Sequence, residues 1–335
     1  MNYNIEFKNI IKPKRIKRGD HIRVIAPVKS LKFMSDQSRK EAIAQLEKFG
    51  FKLSFGKHVD EIDEFNSSSI ESRIEDLHDA FADKKVDAIL TVIGGYNSNQ
   101  LLQYIDYELI AQNPKILCGF SDVTALANAI TTKTGMITYI GPHFSSWAMK
   151  YGFEYSLENF VKCCMEEIAF DLLSSKEWSD DPWYIDQEKR EFIPNDGYWI
   201  LNPGHAFGRV VGGNLCTFKL LCGTDFTPNM EDSILLLEDD SESLPHHFDR
   251  EFQSLIHQAD FSGVRGVLIG RFQKETKMIK ELLRKIISTK KELQNIPIIA
   301  NVDFGHTTPI ATMPIGGSLE ISSTIDDAKI RIIEH

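Results

Sequence analysis

The sequence predicts an α/β protein of two domains, on three observations. Short apolar runs of strand length alternate with longer segments in which apolar residues recur every three or four positions. The short runs are continuous rather than alternating, as in parallel strands covered on both faces. The 335 residues also exceed what one hydrophobic core usually serves. Residues 1–160 read as an N-terminal α/β domain with a mainly parallel sheet flanked by helices, 161–207 as a linker carrying an aromatic insertion, and 208–335 as a smaller C-terminal α/β or β-rich domain.

Residues 21–26 open the pattern as a strand, and Ser35 starts a helix with Ile43, Leu46 and Phe49 along one face. A short strand at 53–55 follows, then a helix marked by Ile74, Leu77 and Phe81, and a nearly continuous strand at 86–93. Leu101, Leu102 and Ile105 predict another helix. The apolar run ending near Ser121 predicts a strand with a helix beginning at about Val123, and 137–140 a strand before Gly141-Pro142. Between about 174 and 208 the periodicity breaks into turn residues and aromatics, and Trp178, Trp183 and Trp199 there argue against disorder. The second half resumes with a strand near Arg209, a helix to Leu221, a strand at 233–238, a helix at 252–256, a strand at 264–269, a helix at 277–288 and a strand from Ile296.

A formal net charge of −10 disfavours a nucleic-acid polymer as partner, since that affinity rests on neutralising phosphates. The basic cluster at 12–18 reads as a solvated surface. Residues 1–7 lack the apolar stretch of a secretory signal, and no apolar run approaches the roughly 20 residues that span a bilayer, so the expectation is a cytoplasmic protein without a membrane partner. Cys118, Cys163, Cys164, Cys216 and Cys222 form no Cys-x-x-Cys pair and read as reduced core thiols. Adjacent His246 and His247 point in different directions on any regular element, so neither a metal nor another cofactor is expected.

The chemistry concentrates at strand ends, where ligands gather in parallel sheets. Ser121, in Gly119-Phe-Ser-Asp-Val-Thr124, stands where a buried strand meets a helix start. There a serine projects its hydroxyl beside the next backbone N–H groups, as an acyl-transfer nucleophile requires. Ser121 or Asp122 could equally cap the helix. Glu238 ends the strand 234–238, and His306 follows the strand from Ile298. A serine needs a base, and the base a carboxylate partner; each of these two residues also has a plainer reading, as a solvated acid and a loop histidine.

Gly94-Gly95-Tyr96, Gly119-Phe-Ser-Asp-Val-Thr124, Gly141-Pro142, Gly212-Gly-Asn-Leu215, Leu237-Glu-Asp239, Phe248-Asp-Arg250 and Phe304-Gly-His306, in this order, resemble the LD-carboxypeptidase family of serine peptidases from about Gly19 to Gly317. The aromatic insertion looks like the microcin C self-immunity branch, which cleaves peptidyl or aminoacyl nucleotide amides; other members trim muropeptide tetrapeptides. The resemblance implies an active site between the domains, with Ser121 as nucleophile, His306 as base and Glu238 as its orienting partner. It implies an oxyanion hole from N–H groups of the Gly94-Gly95 turn, with Gly95 named as donor, and of Asp122, whose carboxylate is left to cap the helix. The expected partner is a small peptidyl or peptidyl-nucleotide substrate, and the family's habit implies a homodimer. Trp178, Trp183 and Trp199 are candidates to stack on a purine or to form an apolar lid. Gly94, Arg209, Asn214 and Arg250 are candidates for substrate binding, with Arg250 equally suited to an interdomain ion pair. A non-catalytic binder of the same ligand is the competing class of function.

Overall fold

The computed structural model describes residues 10–335; the segment 1–7 read above lies outside them. The first lobe runs β1 (His21–Ile25), α1 (Asp36–Phe49), β2 (Lys52–Phe55), α2 (Ile70–Ala82), β3 (Ala88–Thr91), α3 (Tyr107–Gln112), β4 (Ile116–Gly119), α4 (Val123–Thr134), β5 (Thr138–Ile140) and α5 (Glu154–Cys164). Its strands pair in parallel in the order β5-β4-β3-β1-β2. Every residue of β3 and β4 is buried, which is why these segments read as unbroken apolar runs. Ser35 and Ser69 start α1 and α2 by accepting the N–H of Ser38 and Ser72, and Gly50 ends α1 in the left-handed region.

The chain continues through β6 (Phe170–Leu172), β7 (Glu177–Trp178), β8 (Ile193–Pro194) and β9 (Trp199–Asn202) to β10 (Gly204–Asn214), α6 (Leu215–Lys219), β11 (Ser233–Glu238), α7 (Pro245–Ile256), β12 (Gly266–Gly270), α8 (Lys280–Ser288) and β13 (Ile298–Val302). It ends in β14 (Met313–Ile315), β15 (Ser318–Ser323) and β16 (Ala328–Glu334). The second sheet has eight strands, β6-β16-β15-β10-β11-β12-β13-β9. Its centre, β10 to β13, is parallel and its flanks are antiparallel. β14 leaves this lobe and pairs antiparallel with β5, closing the first sheet at six strands. Val211, Leu215 and Phe218 share one apolar core cluster with Leu126, Ala129 and Ile130 of α4, so the lobes are packed through a common interior.

Several expectations need correction. Leu101, Leu102 and Ile105 lie on a single 3-10 turn (Ser98–Leu101) and the bend after it; the helix starts at Tyr107, because the Asp106 carboxylate caps the Leu109 N–H. The segment 161–207 is more than a connection: β6 and β9 are strands of the second sheet. Within the cluster 12–18, Arg15 turns inward to the Tyr139 hydroxyl and the carbonyls of Cys163 and His335 instead of to water. Cys118, Cys163 and Cys164 are buried, but Cys216 is exposed. Among the described residues, no helix is long and apolar enough to cross a membrane.

Candidate active site

β4 ends at Gly119 and α4 begins at Val123, which leaves Ser121 on the turn between them with φ +61°. A serine held in this sparsely populated region costs on the order of 1–3 kcal/mol and persists only where its surroundings impose it. Here they do. The Thr124 N–H returns to the Ser121 carbonyl at 2.9 Å, and Ser98 grips the next residue twice: its N–H donates to Asp122 Oδ2 at 2.8 Å and its hydroxyl to the Asp122 carbonyl at 2.6 Å. The Asp122 carboxylate is thus turned away from α4 and caps no helix N–H, contrary to expectation. Its burial pushes the carboxyl pKa up. The Ser121 hydroxyl is likewise engaged elsewhere than in capping.

His306 and Glu238 converge on that hydroxyl. His306 Nε2 lies 3.0 Å from Ser121 Oγ, and His306 Nδ1 lies 2.7 Å from Glu238 Oε2. Glu238 is the last residue of β11 and is 1% exposed. Gly305 makes the approach possible: at φ +109°, a Cβ there would stand 2.7 Å from Glu238 Oε2. Burial pulls the His306 pKa down, but the charge and hydrogen bond of Glu238, joined by Asp240 and Asp239, outweigh it and raise the imidazole to about 9. Phe120 meets the His306 ring edge-on at 5.4 Å.

Gly94 abuts the serine, where a Cβ would lie 2.8 Å from Ser121 Cβ, so only glycine lets this turn come so close. Among the described residues, neither the Gly95 nor the Asp122 N–H is paired with a backbone or side-chain acceptor. The groove around Ser121 and His306 encloses about 490 Å³ and is lined by Gly94, Gly95, Phe33, Tyr96, Phe120 and Trp183, among others.

Of the three tryptophans, only Trp183 lines this groove. Trp178 lies beneath the Arg271 guanidinium at 5.3 Å, and Trp199 donates to Asp196 at 3.1 Å while packing on the core. Arg209 is a correction. It lies in the middle of β10, where its ladder partners are Ser233, the first residue of β11, and Ser318 of β15, whereas Asn214 pairs with Glu238 at the strands' carboxyl ends; Glu334 is a charge that acts on it. Asn214 is buried, caps α6 by accepting the Thr217 N–H, and borders a smaller cavity that also touches Ser121; Arg250 borders that cavity from α7. Among the described residues, no three His, Cys, Asp or Glu side chains are grouped to hold a metal ion.

Two further contributors lie outside the residues the sequence points to. Ser98 carried no signal, because its pairing with Asp122 is made by the fold. His143, just after Gly141-Pro142 at the end of β5, shared the strand-end position that drew attention to Ser121. It lines the groove, pairs with the Thr91 hydroxyl at 2.9 Å and stacks on Phe120 at 4.2 Å. Burial, with the His306 charge adding, lowers its pKa to about 3 and keeps it neutral.

A two-lobed α/β frame with these strand-end groups at the lobe interface defines a class of peptidases. Residues 22–141 match the LD-carboxypeptidase N-terminal domain and residues 207–321 its C-terminal domain. The chain belongs to the LD-carboxypeptidase family. It is 51% identical to the protein named "Putative carboxypeptidase YocD" of Bacillus subtilis (strain 168), over 96% of this chain and 99% of that one. The crystal structure of an MccF-like protein from Bacillus anthracis str. Ames superposes with a TM-score of 0.96 at 50% identity, covering 97% of this chain and 100% of that one. The microcin C7 self-immunity protein MccF in complex with aspartyl sulfamoyl adenosine superposes with a TM-score of 0.87 at 28% identity, covering 96% and 98%.

Proposed function

We propose that the protein is a serine amidase that hydrolyses the amide bond of a small aminoacyl or peptidyl nucleotide conjugate. The observation that carries this reading is the relay from Ser121 through His306 to Glu238 at 3.0 and 2.7 Å, set in a groove with Trp183 in its lining. His306 Nε2 takes the Ser121 proton as the oxygen attacks the amide carbonyl. Glu238 holds the ring in the required tautomer and stabilises its cation. The Gly95 and Asp122 N–H groups receive the negative charge that develops on the carbonyl oxygen. His306 then passes its proton to the departing nitrogen, and water repeats the sequence on the acyl-enzyme, regenerating the serine. No step calls on a metal ion. Trimming of a muropeptide tetrapeptide would use the same relay; the aromatic lining of Phe33, Tyr96, Trp183 and Tyr184 favours a flat base over a peptide.

The test is Ser121→Ala with an aminoacyl-sulfamoyl adenosine and a muropeptide tetrapeptide in parallel. We expect turnover of the nucleotide conjugate to fall by at least about 10⁴-fold with the melting temperature unchanged. Undiminished turnover refutes the nucleophile, and cleavage by the parent protein of the muropeptide alone refutes the nucleotide substrate.

A further inference from the structure

A cavity of about 330 Å³ that none of Ser121, His306 and Glu238 lines lies between the C-terminal half of α1, the 3-10 turn Phe144–Ala148 and the start of α5. Its volume is within the range of small-molecule sites. Phe49, Trp147, Phe153 and Leu157 give it an apolar floor, on which Trp147 meets Phe49 at 6.2 Å and Phe153 at 5.2 Å, edge to face in both cases. Phe153 borders the active-site groove as well, so the two spaces share one wall.

The rim is cationic. Arg18, Lys48 and Lys150 stand there against one acid, Glu154. Lys150 is already paired, 3.3 Å from Glu41 and 3.8 Å from Glu188. Arg18, the last residue of the basic cluster 12–18, and Lys48 are exposed and have no acid within ion-pair distance among the described residues; Arg18 lies over the Phe49 ring at 4.9 Å. α5 starts at Phe153 without a side-chain cap, so the N–H groups of its first turn add positive charge beside the cavity. A buried donor completes the pattern. Trp147 is 1% exposed and its Nε1–H has no partner among the described residues; Gln45, also in the lining, donates from Nε2 to the Met149 carbonyl at 3.0 Å but leaves its Oε1 unpaired. An indole N–H buried without an acceptor costs about 1–3 kcal/mol, which a bound acceptor recovers.

We propose that this cavity is a second binding site, separate from the catalytic groove, for a small amphipathic monoanion of the aryl carboxylate class. The ring packs on Phe49, Trp147 and Phe153, the carboxylate is held by Arg18 and Lys48, and the Trp147 N–H is the buried donor. Glu154, with the acids already on Lys150, opposes a second negative charge, which disfavours a phosphate monoester. The site stands independently of the amidase reading.

The test is calorimetric titration of the parent protein with 2-naphthoate, 2-naphthamide and 2-naphthyl phosphate. The carboxylate is expected to bind at least about tenfold tighter than the neutral amide, and tighter than the phosphate. Replacing both exposed cations, Arg18→Ala with Lys48→Ala, should erase the preference for carboxylate over amide at an unchanged melting temperature, whereas Trp183→Ala, which alters the catalytic groove alone, should keep it. No binding of the carboxylate, or tighter binding of the phosphate, overturns the proposal. So does affinity that survives the double replacement and is lost in Trp183→Ala, which would put the ligand in the groove. A lower mass of the double variant than of the parent in light scattering would make this face a contact between two copies of the chain and overturn the proposal as well.

Discussion

Glu238 sets both the orientation and the proton affinity of His306, and the two effects are separable. A base must be neutral to take the serine proton, so kcat/KM should rise with pH as His306 deprotonates, with a midpoint near 9 in the free protein, and be lost as pH falls below it. Glu238→Gln keeps the shape and removes the charge. We expect its midpoint to move down and its plateau rate to drop, read from pH profiles of kcat/KM; an unmoved midpoint would rule Glu238 out as the source of the shift. Gly305→Ala probes the same contact sterically, since the new methyl would press on Glu238 Oε2 at a positive φ. About 1–3 kcal/mol of stability should be lost, with kcat falling more than KM changes, as thermal melts and kinetics would report. The sequence made Ser121, Glu238 and His306 legible because each leaves a buried strand at its carboxyl end. It could not expose Ser98 or Gly305 as their supports, since both act through partners far away in the chain.

At the scale of elements, the aromatic insertion is fastened to the loop that carries His306. Ser179 and Thr308 exchange backbone hydrogen bonds at 2.7 and 2.9 Å, and Asp303 accepts the Ser175 N–H and hydroxyl while paired with Arg271 at 2.7 Å. Asp303→Asn breaks a buried ion pair, so a loss of about 3–5 kcal/mol is expected in chemical denaturation, together with a reduced kcat. Trp183→Ala should raise KM for a nucleotide conjugate about tenfold, while Trp199→Ala should leave it unchanged because Trp199 packs on the core. Equal effects of the two would contradict the assignment. Strands such as β3 and β11 were readable because burial on both faces leaves an unbroken apolar run. β6 and β9 were not, because they are short, partly buried edge strands lying in a polar stretch.

At the scale of the whole molecule, the two lobes are predicted to unfold together. β14 belongs to the first sheet though it follows β13 of the second, and one apolar cluster spans both lobes. Heating should therefore give a single transition by calorimetry and circular dichroism alike, and a fragment 10–160 should fail to fold stably, its β5 edge and core face uncovered. Two separated transitions would contradict this. The alternation of helices and strands revealed two α/β units, but a three-residue strand crossing between sheets leaves no periodic trace.

That crossing also acts as a leash. Residues 307–312 join the histidine to the hook on the other lobe, and at a maximum of roughly 3.6 Å per residue the seven steps from His306 to Met313 reach no farther than about 25 Å. Any hinge opening that admits a bulky ligand is bounded by this length, and a chimera grafting one lobe onto a foreign partner must bring Met313–Ile315 along or leave its base untethered.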